Sequence, residues 1–99
     1  MGTIVWTPLI IDDLKSIHTY IALESIVYAN RTIGKIISRV NQLQRFPESG
    51  KIVPEFGQKS IRDLTEENYR IVYKIHPEHI GIVRVQHAAR ILRSIRSEE

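Results

Sequence analysis

The stretch Asn68 to Arg90, NYRIVYKIHPEHIGIVRVQHAAR, decides the fold. Within Tyr69 to His76 alternation puts Tyr69, Ile71, Tyr73 and Ile75 on one side and Arg70, Val72, Lys74 and His76 on the other. A run of that kind, rich in β-branched and aromatic residues, reads as a strand. Ile80 to Gln86 is a second, and His76-Pro77-Glu78-His79 supplies the turn between them. Upstream, Ser60 to Leu64 adds a short strand. Adjacent short strands joined by tight turns predict an antiparallel meander.

Toward the N-terminus, Lys51 to Lys59 reads as an irregular connection containing Pro54 and Gly57, and before it the period becomes helical. From Ile26 to about Arg45, Ala29, Ile33, Ile36, Ile37, Val40 and Leu43 fall on one side of a helix. Gly34 weakens it and suggests a close approach of two helices. Phe46-Pro47 ends the pattern, and Glu48-Ser49-Gly50 supplies turn chemistry.

An earlier helix starts at Thr7-Pro8, where the hydroxyl can cap and proline at the first helical position sacrifices no hydrogen bond. Asp12 and Asp13 lie early in it, where the macrodipole favours negative charge. Ile10, Leu14, Ile17 and Ile21 form its buried face, and the short link to the next helix implies an antiparallel hairpin. Thr3 to Trp6 is a plausible first strand. The expected class is α+β in the order β-α-α-β-β-β, with a helical hairpin packed on one face of a small, mainly antiparallel sheet. The other face is then partly open.

All 99 residues are expected to form one domain, with 84–97 as a basic strand end and tail. Hydrophobic residues make up 42% and charged residues 25%, an ordinary globular balance. The absence of cysteine excludes a disulfide framework or a thiolate metal site and fits a reducing cytosol. No window approaches the roughly 20 apolar residues of a membrane span, and no signal peptide is legible, so the expected location is cytoplasmic. Net charge is only +3, yet Arg84 to Arg96 holds four arginines and His87 with no acid. Such a segment favours an anionic partner, whether nucleic acid or an acidic protein surface; a solvated basic tail is the plainer alternative.

Arg84 would share a face with Ile80, Ile82 and Gln86 under strict alternation. An arginine in an apolar strand needs a carboxylate, a phosphate or a route to solvent. The simplest role for Arg70 and Arg84 is pairing with Asp63, Glu66 or Glu67. His76 and His79 read as solvated turn residues, and His18 as a packed or boundary residue. The spacing predicts no metal site and no cofactor. His87 ends a strand between Arg84 and Arg90, whose charges favour a neutral ring able to accept a proton.

NYRIVYKI, a short turn and IVRVQHAAR are similar to the closing hairpin of RelE/ParE toxins. IVWTPLIIDDLKSIHTYI resembles that family's first strand and helix, LQRFPESGKIVPEFG its helix exit and loop, and IRDL the strand before the hairpin. The resemblance implies the toxin of a type II toxin–antitoxin system, held inactive by a cognate antitoxin, with operator DNA contacted only through that antitoxin. RelE-like members cut messenger RNA in the ribosomal A site, whereas ParE-like members inhibit DNA gyrase and block replication.

Metal-independent RNA cleavage requires an activated 2′-hydroxyl, a stabilised phosphate and a protonated leaving oxygen, helped by an aromatic stacker. If the chain is a ribonuclease, Arg70, Arg84, His87 and Arg90 are its catalytic candidates. No Phe, Trp or Tyr follows Tyr73, however, and the lysine-rich stretch of the ribonucleases is reduced to Lys51 and Lys59. The ending Arg84-Val85-Gln86-His87-Ala88-Ala89-Arg90 and the FPESG loop look more like the ParE branch, which would act by binding gyrase without catalysis. The residues expected to meet target or antitoxin are Arg62, Arg70, Tyr73, Arg84, His87, Arg90, Ile91, Leu92, Arg93 and Ile95. A third reading is a basic binding module, or degenerate toxin, harmless when expressed alone. In the amphipathic tail, Ile91, Leu92 and Ile95 alternate with Arg90, Arg93 and Arg96, so an acidic antitoxin helix could lie across it.

Overall fold

The Thr7 side chain accepts the Ile10 N–H at 3.3 Å and Pro8 occupies the first turn, so α1 starts where the capping chemistry puts it and spans Pro8–Ala22. Ser25 does the same for α2, Ile26–Asn41, accepting the Tyr28 N–H at 3.1 Å. The computed structural model describes residues 3 to 88, and Arg90, Ile91, Leu92, Arg93 and Ile95 lie outside them. The strands are β1 (Thr3–Val5), β2 (Lys51–Ile52), β3 (Ile61–Glu66), β4 (Tyr69–Ile75) and β5 (His79–His87).

These form one five-stranded sheet in the order β1-β5-β4-β3-β2. β1 runs parallel to β5 and the other neighbours are antiparallel, with the helical hairpin on one face. The expected α+β architecture holds, with β2 added: two residues of the connection pair with Asp63 and Arg62. Neither Lys51 nor Ile52 is in a periodic run, so only the partner strand reveals them.

Ile10 and Ile17 of α1, Ile36 and Val40 of α2, Leu43, and Leu64, Ile71, Tyr73, Ile80, Ile82 and Val85 of the sheet make the main core. Burying a side chain of this size stabilises by roughly 1.5–3 kcal/mol before entropy is counted. Ile37, expected on the buried side of α2, is 37% exposed, and Thr32 is buried instead. Gly34 does not mark a helix crossing, because a side chain there would meet nothing within 4 Å. The stripe of α2 is therefore turned slightly from the one that counting isoleucines suggests.

One irregularity interrupts the ladder between β4 and β5. Tyr73 pairs with Ile82 but Val72 pairs with Arg84, leaving Val83 as an extra residue in β5. The bulge switches the phase of alternation, so Ile80 and Ile82 enter the core before it and Val85 after it. Arg84 consequently leaves the face of Ile80 and Ile82, contrary to strict alternation.

Candidate functional site

Residues opposite one another in the ladder share a face. Lys51, Asp63, Val72 and Arg84 form one row on the side away from the helices, and Thr65, Arg70 and Gln86 form the next. Val53 and Phe56, from the connection after β2, cover part of this face by packing on Ile61 and Val72. What remains carries Lys51 and Lys74, which make no ion pair among the described residues, beside the Arg70–Asp63 pair, a mildly cationic surface that suits an anionic partner.

The two arginines are already engaged. Arg70 Nη2 donates to the buried carboxylate of Asp63, the pairing expected from the sequence. Arg84 differs from expectation: it pairs with none of Asp63, Glu66 or Glu67, and its Nε and Nη2 donate to the two oxygens of Asp13 at 3.0 and 3.1 Å. Asp13 also accepts the Val85 N–H at 3.1 Å. β1 pairs with β5 only from His79 to Gly81, so the edge beyond is open and the side chain of an α1 residue satisfies it. Asp13 lies past the first turn of α1 on the buried side, so its role is this contact rather than the helix dipole.

Arg62 and Tyr73 are committed elsewhere. The Arg62 guanidinium donates to the carbonyl oxygens of Lys59, Glu48 and Gly50 at 3.0–3.2 Å, pinning the loop before β2. Tyr73 is fully buried; its hydroxyl donates to Pro47 O at 2.7 Å and accepts the Gly50 N–H at 2.9 Å. Burial pushes its phenol pKa up, although the Gly50 N–H and the Arg62 charge act against the shift. Gly50 is required here, because a Cβ would come within 2.6 Å of both Asp63 O and the Tyr73 hydroxyl. The FPESG segment is thus a clamp around Tyr73.

His87 lies on the other side of the sheet. It pairs with Tyr69 in a row that faces the helices, and the two rings meet edge-on at 5.8 Å. Tyr69 is itself raised in pKa by burial and by Tyr28, Tyr20 and Glu67 nearby. The structure therefore ties Arg70 to β3 and Arg84 to α1, and places His87 on the opposite side of the sheet from both. At the β4–β5 turn, His76 and His79 do more than face solvent: their rings stack at 4.3 Å. Desolvation, then His79 and Lys74, holds the His76 pKa below its ordinary value. Among the described residues no group of three or more His, Asp or Glu could hold a metal.

Residues 4–92 match the model of the ParE toxin of type II toxin–antitoxin systems. The chain belongs to the ParE toxin family. Toxin RelE2 of Caulobacter vibrioides is 30% identical over 92 residues, covering 92% of this chain and 100% of its relative. The ParE-like fold recurs in a chain of the chromosomal ParDE TA system from P. aeruginosa, with a TM-score of 0.72, 24% identity and coverage of 88% of this chain and 96% of that one. As a ParE toxin of a type II system, the chain has a cognate antitoxin as partner.

Within this ParE toxin, the residue that sequence reasoning missed is Asp13. A signal was present: Asp13 falls between Ile10 and Ile17 on the apolar stripe of α1, where a carboxylate must find a buried partner. Outside the sheet, an open groove of about 400 Å³ runs along the hairpin beside Ile11, Leu14, His18 and Ile33. His18 Nε2 lies 2.7 Å from Asn30 Oδ1 there, joining the two helices.

Proposed function

We propose that this toxin acts by binding DNA gyrase and blocking replication, and that it performs no catalysis of its own. The observation that carries this reading is the dispersal of the would-be ribonuclease set. Arg70 is tied to Asp63 and Arg84 to Asp13, while His87 faces the helices against Tyr69. A phosphate stabiliser must be free to turn toward developing charge, and a general base must lie within hydrogen-bond reach of the same substrate. Two arginines spent on internal carboxylates and a histidine on the opposite face supply neither. The absence of any aromatic residue after Tyr73 and membership of the ParE family support the same conclusion.

Gyrase is a cytoplasmic enzyme, which makes the cytoplasm the proposed place of action. The cationic face, through Lys51 and Lys74, is the surface offered to an acidic protein surface or to gyrase-bound DNA. The antitoxin neutralises the toxin by setting acidic residues against Arg90 and Arg93, with operator DNA reached only through it.

Ribosome-dependent mRNA cleavage is the second reading, favoured by the name of the 30% identical relative, Toxin RelE2. Purified toxin assayed in parallel for inhibition of supercoiling and for ribosome-dependent mRNA cutting separates the two, with Arg70→Ala and His87→Ala beside it. Inhibited supercoiling without RNA product is expected. RNA cutting that disappears in His87→Ala would overturn the proposal.

A further inference from the structure

The tip of the α1–α2 hairpin carries an exposed apolar patch. Tyr20 is 74% exposed, Leu23 80%, Ile26 57% and Val27 64%. Their exposed area is on the order of 500 Å² per chain, more than half of the roughly 800 Å² that each partner contributes to a standard interface. Monomers rarely leave so much apolar surface together in water, and tyrosine among aliphatic side chains is the composition of an interface centre.

The charges beside the patch identify the occupant. Glu24 and Arg31 are both exposed, and neither makes an ion pair among the described residues. Glu24 stands just before the Ser25 cap of α2, and Arg31 lies one turn beyond Val27. An acid, an apolar residue and a base thus follow one another from the tip along α2. A partner bearing one sign of charge answers one of these groups and opposes the other. A second copy of this chain answers both.

Gly34 agrees with such a partner. It shares the face of α2 that carries Val27 and Arg31, it is exposed, and a side chain there would meet nothing within 4 Å. Glycine inside a helix is less favourable than alanine, and no contact among the described residues requires it. It leaves a shallow space on the outer surface, one turn past Arg31.

We infer that the toxin self-associates through the hairpin tip as a two-fold dimer, Tyr20, Leu23, Ile26 and Val27 of each copy covering those of the other. The axis passes beside Val27, midway between Glu24 and Arg31. Each Glu24 then meets the partner's Arg31, and each Leu23 enters the space above the partner's Gly34. The hairpin packs on one face of the sheet, so the dimer leaves the helix-free face accessible in both copies. The inference does not depend on which target the toxin binds.

Sedimentation equilibrium of the full-length toxin, freed of antitoxin, tests it. A monomer–dimer equilibrium is expected for the native chain. Glu24→Arg and Arg31→Glu each set like charges against one another across the axis, and each is expected to weaken dimerisation at least about tenfold. The double variant restores both pairs and is expected to return to within about threefold of the native chain. All these positions are exposed, so unchanged circular dichroism is expected throughout. A native chain that stays monomeric at about 100 μM overturns the inference, and protection of Tyr20 and Leu23 only in the antitoxin complex gives the patch to that partner instead. A dimer that neither reversal weakens, or that the double variant fails to restore, overturns it equally.

Discussion

Asp13 ties the two layers together at a single side chain. It is 9% exposed, accepts both guanidinium nitrogens of Arg84 and also closes the Val85 N–H. Removing a carboxylate with three donors leaves a buried amide and a partly buried cation without partners. Asp13→Ala is therefore expected to cost about 2–4 kcal/mol, and Arg84→Ala less, since Asp13 would keep the Val85 amide. Urea unfolding of both single variants and the double variant reads the coupling; a coupling near zero would show that the pair contributes nothing. Thr32 presents the reverse case. Its buried hydroxyl has no hydrogen-bond partner among the described residues, so Thr32→Val is expected to raise stability by about 1 kcal/mol in the same measurement. Glu67 is the one strained non-glycine position among the described residues, with φ at 56°. The cost is offset by its carboxylate, which holds Lys35 at 3.1 Å and the Tyr28 hydroxyl, joining the β3–β4 turn to α2.

The β4–β5 hairpin is the element whose two ends do different work. Its turn stacks His76 on His79 beside Lys74; desolvation first, and then these two neighbours, disfavour a charged His76 ring. The folded pKa is below the unfolded one, so the stabilising contribution is present above the unfolded value near 6.5 and is lost as pH falls through that of the folded state. An NMR titration is expected to place His76 below the ordinary imidazole value near 6.5, and Lys74→Ala to raise it. Coincident titration of His76 with a free imidazole would refute the stack in solution. Its far end carries the bulge at Val83, which sends Val85 inward and Arg84 out of the apolar row. The alternation from Tyr69 to Ile75 was legible because both flanking strands pair along its length. The extent of β5 was legible from Ile80 to Gln86, but the facing of its side chains only up to the bulge, since an inserted residue leaves no mark in hydrophobic periodicity.

At the scale of the whole molecule, two carboxylates, Asp13 and Asp63, are buried in ion pairs, while Lys51 and Lys74 stand on the helix-free face without an ion pair among the described residues. The proposed inhibition of gyrase through that face is expected to weaken as salt rises from about 50 to 200 mM, because charges outside a Debye length of about 10 Å are screened. Inhibition unchanged across that range in a supercoiling assay would move the contact from the charged face to an apolar one, such as the groove on the hairpin. The sequence by itself determined the elements, their order and the α+β class, because caps, turns and hydrophobic period are properties of neighbours along the chain. Its motifs also pointed to the toxin family. Tertiary structure alone decided the site: Arg84 meets a carboxylate 71 positions away, Tyr73 is enclosed by a loop, and His87 faces away from both arginines. Such contacts depend on strand register, on one bulge and on how a helix seats against a sheet edge. None of these is set by local propensity, which is why the same arginines read as a site in one dimension and as internal ion pairs in three.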